Sequence, residues 1–378
     1  MSKFLHIVCL DAPSPPDYGG AIDMFYKIKS LAEIGIKIKL HYFHYKKERS
    51  INGLEKYCSE ITAYKRETSI AGFALNKPYV IASRINKQLI NNLNRDNHPV
   101  LLEGFHCTGI IPFLKKDNRK IIIRVHNDEA VYYHFLAISE RNWLRKVYCK
   151  IESKLLSKYQ GTLPNFCTYA FISELDKKNI SSRNKLQYTQ FVPSFLPWQI
   201  IKPLEGIGSY GLYHGNLTVA ENKESVIWLI ENVFSYVNYP FIIAGKNASR
   251  ALQSKVKQFS NITIVDDPST TKLDELITNA HVHILPSLNQ TGVKLKLLNA
   301  LFNGRFCITN ERGIKGSGLE KACLIAEDAD EYIKIINTLK QTPFSLRESA
   351  LRQDLLQLYN NDINARKIIA ELGYTGII

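Results

Sequence analysis

Lys294 and Lys296 stand two residues apart in SLNQTGVKLKLLNALFNGRFCITN (residues 287–310), just after Gly292 and at the mouth of a helix-like run. The amino end of a helix carries partial positive charge, so cations are disfavoured there unless an anion sits beside them. Gly292 and Val293 are read as opening this helix, which would turn their unpaired amides outward as well. A lysine on a phosphate is an ordinary pairing. At about 100° per residue the two lysines lie about 200° apart, so only one can face an anion squarely.

Other loops offer related chemistry. Gly19 and Gly20, in DAPSPPDYGGAIDMF, sit where a strand passes into a helix, and bare backbone there lets amides approach a phosphate. The pattern is not G-x-G-x-x-G, so a dinucleotide site is not expected. His126 ends the strand in RVHNDEAVYYHF, a position suited to facing a ligand, with Arg124 and Glu129 beside it. Tyr132 and Tyr133 read as packing residues. Glu103 and His106, in EGFHCTG, form a candidate acceptor-side pair. Gly215 and Asn216 end one strand of the second half, and Gly245 and Lys246 end the next.

These loops need elements to hold them. FLHIVCL, IKIKLHYF, EITAYK, PVLLEGF, KIIIRVHN and TYAFIS read as strands. Helices alternate with them: one from Gly19 to Gly35 with Ile22, Phe25, Ile28 and Leu31 on one side, one near 78–94, a short one near 108–115, and a long one over about 128–159. FVPSFLPWQIIKPLEG (191–206) breaks the pattern and reads as a linker. The alternation then restarts with YGLYHGN, YPFIIAGK, ITIVDD, HVHILPS, RFCITN and CLIAED as strands. Helices are expected at 248–258, 272–280 and 292–303. The fold class is therefore α/β, with two Rossmann-like doubly wound parallel sheets. The domains are 1–195 and 205–355, with a helical tail over 356–378. Ligands of such sheets bind in crevices at the carboxyl ends of the strands.

The 378 residues carry a net charge of +14. Basic residues are dispersed and no nucleic-acid-binding motif is present, so nucleic acid is not an expected partner. An anionic membrane surface and a phosphorylated ligand remain as candidate partners, and a merely solubilising surface charge stays open beside them. RNWLRKVYCKIESKLLSKY (141–159) is the most basic amphipathic stretch. It suits a membrane surface but reads first as an ordinary helix with a wet basic face. No apolar run reaches membrane-span length and no signal peptide is read, so the expected location is cytoplasmic, with peripheral attachment at the inner face of the cytoplasmic membrane. The seven cysteines are scattered without a C-x-x-C pair, which argues for reduced thiols rather than zinc or disulfides.

The segments PSPPDYGGAIDMFYKIKSLAEIGIKIKLHYF, RVHNDEAVYY, FISELDKK, YHGNLTVAENKESVIWLIENVF and above all GVKLKLLNALFNGRFCITN resemble the GT-B glycosyltransferases of family 4, the retaining group that builds bacterial surface polysaccharides. The resemblance implies two Rossmann-like domains facing a cleft, a UDP- or GDP-linked sugar donor held mainly by the second domain, a saccharide or lipid-linked acceptor on the first, no metal or other cofactor, and a last helix that crosses back to the first domain. It assigns Gly20 to the donor diphosphate, His126 to the donor sugar, and Lys294 or Lys296 to neutralising the diphosphate. Where the family carries Glu-x7-Glu this chain has Thr291 and Asn299, and Asn216 stands at an arginine position. Asn299 retains hydrogen-bonding capacity toward a ribose. The same departures raise the alternative of a catalytically silent paralogue that binds sugar nucleotide or partners an active transferase. An epimerase of the same fold would need acid and base carboxylates, for which only Glu103 and Glu129 offer themselves.

Overall fold

Aliphatic runs too short for helices and amphipathic stretches between them build two units, each around one parallel sheet. The computed structural model describes residues 3–45, 49, 51–68, 76–115, 118–140 and 142–374. Unit 1 is Met1–Pro197 with Tyr359–Ile378, and unit 2 is Trp198–Leu358.

Unit 1 begins with β1 (Phe4–Cys9), α1 (Gly19–Glu33), β2 (Lys37–His44), β3 (Cys58–Lys65), α2 (Tyr79–Ala82), α3 (Lys87–Leu93) and β4 (Val100–Glu103). It continues through a 3-10 helix (Phe105–Phe113), β5 (Ile121–Val125), α4 (Glu129–Ser139), α5 (Trp143–Gln160), β6 (Thr168–Phe171), α6 (Glu174–Asn184) and β7 (Thr189–Phe191). The sheet order is β3-β2-β1-β4-β5-β6-β7, so the strand order reverses between β1 and β4. Ligand crevices of open α/β sheets form at such a reversal.

Several expected helices are differently cut. The helix near 78–94 is two pieces, because Asn86 caps α3 through its side chain onto the amide of Leu89. The long helix over 128–159 is also two. Asn142 caps α5 by accepting from the amide of Arg145, and Glu140 accepts from the amide of Asn142. Arg141 lies outside the described residues. On α1 the buried side is Ala21, Asp23, Met24, Lys27, Ile28, Ser30 and Leu31, which leaves Ile22 and Phe25 half-buried.

Helix α5 departs most from expectation. Its inner side buries Cys149, Glu152, Leu156 and Gln160. Its outer side exposes Trp143 (69%), Leu144 (59%), Val147 (47%) and Ile151 (53%). Arg145, Lys150 and Lys154 flank them, also exposed. A basic face alone does not describe this helix: 143, 147 and 151 fall on one stripe by i,i+4 spacing.

Unit 2 comprises β8 (Gly211–His214), α7 (Ala220–Asn232), β9 (Phe241–Gly245), α8 (Arg250–Val256), β10 (Ile262–Asp266), α9 (Thr270–Asn279), β11 (Val282–Ile284), α10 (Leu295–Asn303), β12 (Phe306–Thr309), α11 (Glu311–Ile314), β13 (Leu324–Ile325), α12 (Ala329–Leu339) and α13 (Leu346–Leu356). Its sheet runs β10-β9-β8-β11-β12-β13, with the reversal between β8 and β11. The last helix, α14 (Asn361–Glu371), belongs to unit 1. Ala365, Ile368, Ile369 and Leu372 join the apolar cluster of Met24, Ile28 and Leu31 from α1. Asn361 accepts from the Leu196 amide at 3.0 Å and donates to the Leu196 carbonyl at 2.8 Å.

Candidate functional site

In unit 2 the loops at the strand reversal are those after β8 and β11. They carry Gly215 and Asn216 on one side and Thr291, Gly292, Val293 and Lys294 on the other. The expected helix start at Gly292 is corrected. Gly292 is in the loop with φ of +64°, and α10 begins at Leu295 with Lys294, in extended backbone, as its cap. Glu221, in the first turn of α7, holds this loop in place. Its carboxylate accepts from the Ser287 hydroxyl at 2.5 Å, from the amides of Leu288 (3.0 Å) and Asn289 (3.3 Å), and from the Asn289 side chain. Burial alone would raise the Glu221 carboxyl, but Lys294, the Ser287 hydroxyl and Lys296 outweigh it and hold it low. Nothing in the sequence reading singled out Glu221, although an acidic residue in a first helical turn is a visible signal.

The two lysines have different surroundings. Lys294 Nζ donates to Asn289 Oδ1 at 2.6 Å and to the Thr291 carbonyl at 2.9 Å, so it serves the loop itself. Lys296 Nζ donates to Asn222 Oδ1 at 3.0 Å and to the Tyr213 hydroxyl at 3.3 Å, and lies 4.9 Å from the centre of the Tyr213 ring. These partners are neutral, and burial pushes the ammonium down to about 8. Asn222 in turn donates to the Asn216 carbonyl at 2.9 Å, which ties Lys296 to the β8 loop.

Gly215 and Gly245 belong together. A Cβ on Gly245 would lie 2.0 Å from the Gly215 carbonyl, so two loops pass here with no room for a side chain. Asn216 Oδ1 accepts from the Thr218 amide and hydroxyl. Lys246 is exposed. Thr291 is buried and donates to Asn289 Oδ1, while Asn299 Oδ1 accepts from Asn303 at 2.8 Å.

The helix starts show a pattern. Among the described α-helices longer than four residues, α1, α7 and α10 have no capping side chain at their amino ends, and neither does the 3-10 helix after β4. The three α-helices follow β1, β8 and β11, three of the four strands flanking the reversals; the 3-10 helix follows the fourth, β4. The amino ends of α3, α4, α5, α6, α8, α9, α12, α13 and α14 are all capped by a side chain. Uncapped amides beside a strand reversal are what an anion site needs. Gly19 and Gly20 stand at the start of α1, and a Cβ on Gly20 would press on the Tyr18 ring at 3.1 Å.

In unit 1 the expected Glu103–His106 pair does not form. Glu103 instead joins a buried cluster: Lys27 Nζ donates to Asp23 Oδ2 (2.8 Å) and Glu103 Oε2 (2.9 Å), Arg124 forks onto Asp23 (2.8 and 3.1 Å), and His126 Nε2 lies 2.9 Å from Glu103 Oε2. Burial would raise both carboxyls, but Arg124 and Lys27 hold Asp23 well below its ordinary value, and Lys27 and His126 hold Glu103 low. Asp23, Glu103 and His126 have a spacing that suits a metal ion. Yet the Lys27 ammonium already bridges the two carboxylates, so the cationic place is taken. Asp23 and Lys27, an i,i+4 pair on α1, were not legible as functional because the sequence shows only an amphipathic helix.

His106 turns elsewhere, its Nε2 3.9 Å from Glu129. With Arg66, Arg84, Tyr79, Tyr133 and Tyr148 it lines a cavity of about 480 Å³ within unit 1. Tyr133, expected only to pack, is part of this wall.

Comparison with known proteins agrees with this architecture. Residues 209–341 match the family model described as Glycosyl transferases group 1. A protein of Klebsiella pneumoniae described as an uncharacterized 44.6 kDa protein in the cps region is 27% identical over 91% of this chain and 94% of its own. Among solved structures, TarM superposes with a TM-score of 0.67 at 11% identity, over 99% of each chain. The lipopolysaccharide outer core galactosyltransferase WaaB superposes with a TM-score of 0.66 at 12% identity, over 98% of this chain and 99% of its own. Residues 209–341 are thus similar to the group 1 glycosyl transferases, and the chain shares its fold with TarM and WaaB.

Proposed function

We propose that the chain is a retaining glycosyltransferase that moves a sugar from a UDP- or GDP-linked donor to a saccharide or lipid-linked saccharide during synthesis of a surface polysaccharide. The observation that carries this is Lys296: a half-buried lysine whose ammonium is hydrogen-bonded to the Asn222 side chain and the Tyr213 hydroxyl, with the charge of Glu221 acting on it, beside the two uncapped helix starts of unit 2. When a glycosidic bond to a nucleoside diphosphate breaks, negative charge builds on the β-phosphate. A fixed ammonium and fixed amides stabilise that charge without reorganising, and need no metal to do it. Gly215, Asn216, Gly245, Thr291, Gly292, Val293 and Asn299 are proposed around the donor, and Gly20 and His126 are proposed for the same donor from the family resemblance. Glu103 fixes the His126 ring.

Three further findings support the reading. A relative is named for a cps region. S. aureus TarM has been solved with UDP and alpha-GlcNAc-glycerol, and Anabaena Alr3699/HepE with UDP and glucose. The apolar and basic outer face of α5 suits a cytoplasmic protein resting on an anionic membrane. No helix among the described residues is long and apolar enough to cross a membrane.

The silent alternative draws on Thr291 and Asn299, which put a hydroxyl and an amide where the family places carboxylates. The deciding experiment is release of nucleoside diphosphate from a panel of UDP- and GDP-linked hexoses, with and without acceptor-bearing membranes. A transferase releases it faster when membranes are present. Binding of a nucleoside diphosphate with no release from any donor would favour the silent reading.

A further inference from the structure

The cavity in unit 1 has an unusual charge balance. Arg84 is 7% exposed, and its Nε and Nη1 donate to the carbonyls of Leu10 (3.0 Å) and Val80 (2.7 Å). Arg66 donates through Nε to the Ser83 hydroxyl at 2.8 Å, with its guanidinium 5.2 Å from the centre of the Tyr79 ring. All these partners are neutral. Burial and then the charge of Arg66 push Arg84 down to about 10.

The nearest carboxyls do little to balance them. Burial lifts Glu129 to about 8, which keeps it protonated at neutral pH. Glu152 is committed to the helix start above it, accepting from the amides of Tyr79 (3.0 Å) and Val80 (2.8 Å). Among the described residues neither guanidinium is hydrogen-bonded to a carboxylate, and Asp11 and Glu152 act on them only through space, so the cavity presents two arginines that an anion could pair with. Arginine forks match the oxygens of a carboxylate or phosphate. The cavity volume falls in the range of about 300–1,000 Å³ that small-molecule sites occupy. Tyr133 and Tyr148 offer ring faces and hydroxyls to a sugar.

We propose that this cavity binds the acceptor through a negative charge: the acceptor is an anionic saccharide whose carboxylate or phosphate sits on Arg66 and Arg84, with its ring against Tyr133 and Tyr148. The word acceptor rests on the transferase reading; the anionic-sugar site stands without it.

The test titrates the full chain with three sugars: glucuronic acid, glucose 6-phosphate and glucose, with UDP titrated separately. Either or both charged sugars bind at least tenfold more tightly than glucose, and which one binds tells carboxylate from phosphate. Arg66→Gln lowers that affinity about tenfold or more, in keeping with the loss of a charge-assisted hydrogen bond. Arg66→Lys, which keeps the charge but not the fork, falls between. Unchanged UDP binding by Arg66→Gln shows that the variant is folded. Equal binding of all three sugars, binding of none at tens of millimolar, or a charged-sugar affinity indifferent to Arg66→Gln would overturn the proposal. Loss of UDP binding by the unmodified chain would count against the transferase reading instead.

Discussion

At the residue scale, the chemistry depends on which charges are compensated. Asp23, Lys27, Glu103 and Arg124 neutralise one another inside unit 1, whereas Lys296, Arg66 and Arg84 have hydrogen bonds to neutral groups only. The first group is structural currency for His126, and breaking it leaves a buried charge alone. Lys27→Met should destabilise unit 1 by about 3–5 kcal/mol, read as faster hydrogen exchange of the β4 and β5 amides. A change below about 1 kcal/mol would show that the cluster is not a coupled unit. Both carboxyls are held below their ordinary values of 3.8 and 4.5. The stability they lend is therefore complete above those values and is lost as pH falls through the lower folded values. The sequence shows Glu103 and His126 as strand-end residues. It does not show that Asp23 and Lys27 meet them, because that contact needs α1 laid against β4 and β5.

At the scale of elements, helix ends were the least legible feature. The stretches 78–94 and 128–159 keep helical composition throughout, and only the capping side chains of Asn86 and Asn142 mark the breaks. The opening at Gly292 failed for a different reason: a positive φ at a glycine is a loop property, and it postpones α10 to Leu295. Strand β7 escaped notice because Thr189–Phe191 is three half-buried residues with no apolar run. The outer face of α5 carries a prediction of its own. Val147→Glu with Ile151→Glu should reduce co-sedimentation with phosphatidylglycerol vesicles at least tenfold. The melting temperature should barely move, since exposed positions change stability by about 0.5 kcal/mol or less. Binding of the unmodified chain should weaken as salt rises. Equal sedimentation of variant and unmodified chain would remove α5 as the membrane face.

At the scale of the whole molecule, the alternation of strands and helices made the two parallel sheets readable, since buried strands read as continuous apolar runs. The reversals between β1 and β4 and between β8 and β11 were not readable, because strand order depends on packing rather than on local pattern. Those reversals single out α1, α7 and α10, whose starts have no capping side chain, and bring Lys296 beside two of them. The most direct test is a calorimetric titration of UDP and GDP into the intact chain and into Lys296→Met, at neutral pH and above pH 8. The ammonium is charged below about 8 and loses its proton above it. One nucleoside diphosphate should bind the unmodified chain at neutral pH and bind progressively less tightly above pH 8. Lys296→Met should bind it at least tenfold less tightly, with little change across the same range. A variant that binds as the unmodified chain does, or an unmodified chain that binds neither nucleotide, would contradict the assignment of Lys296 to the donor diphosphate.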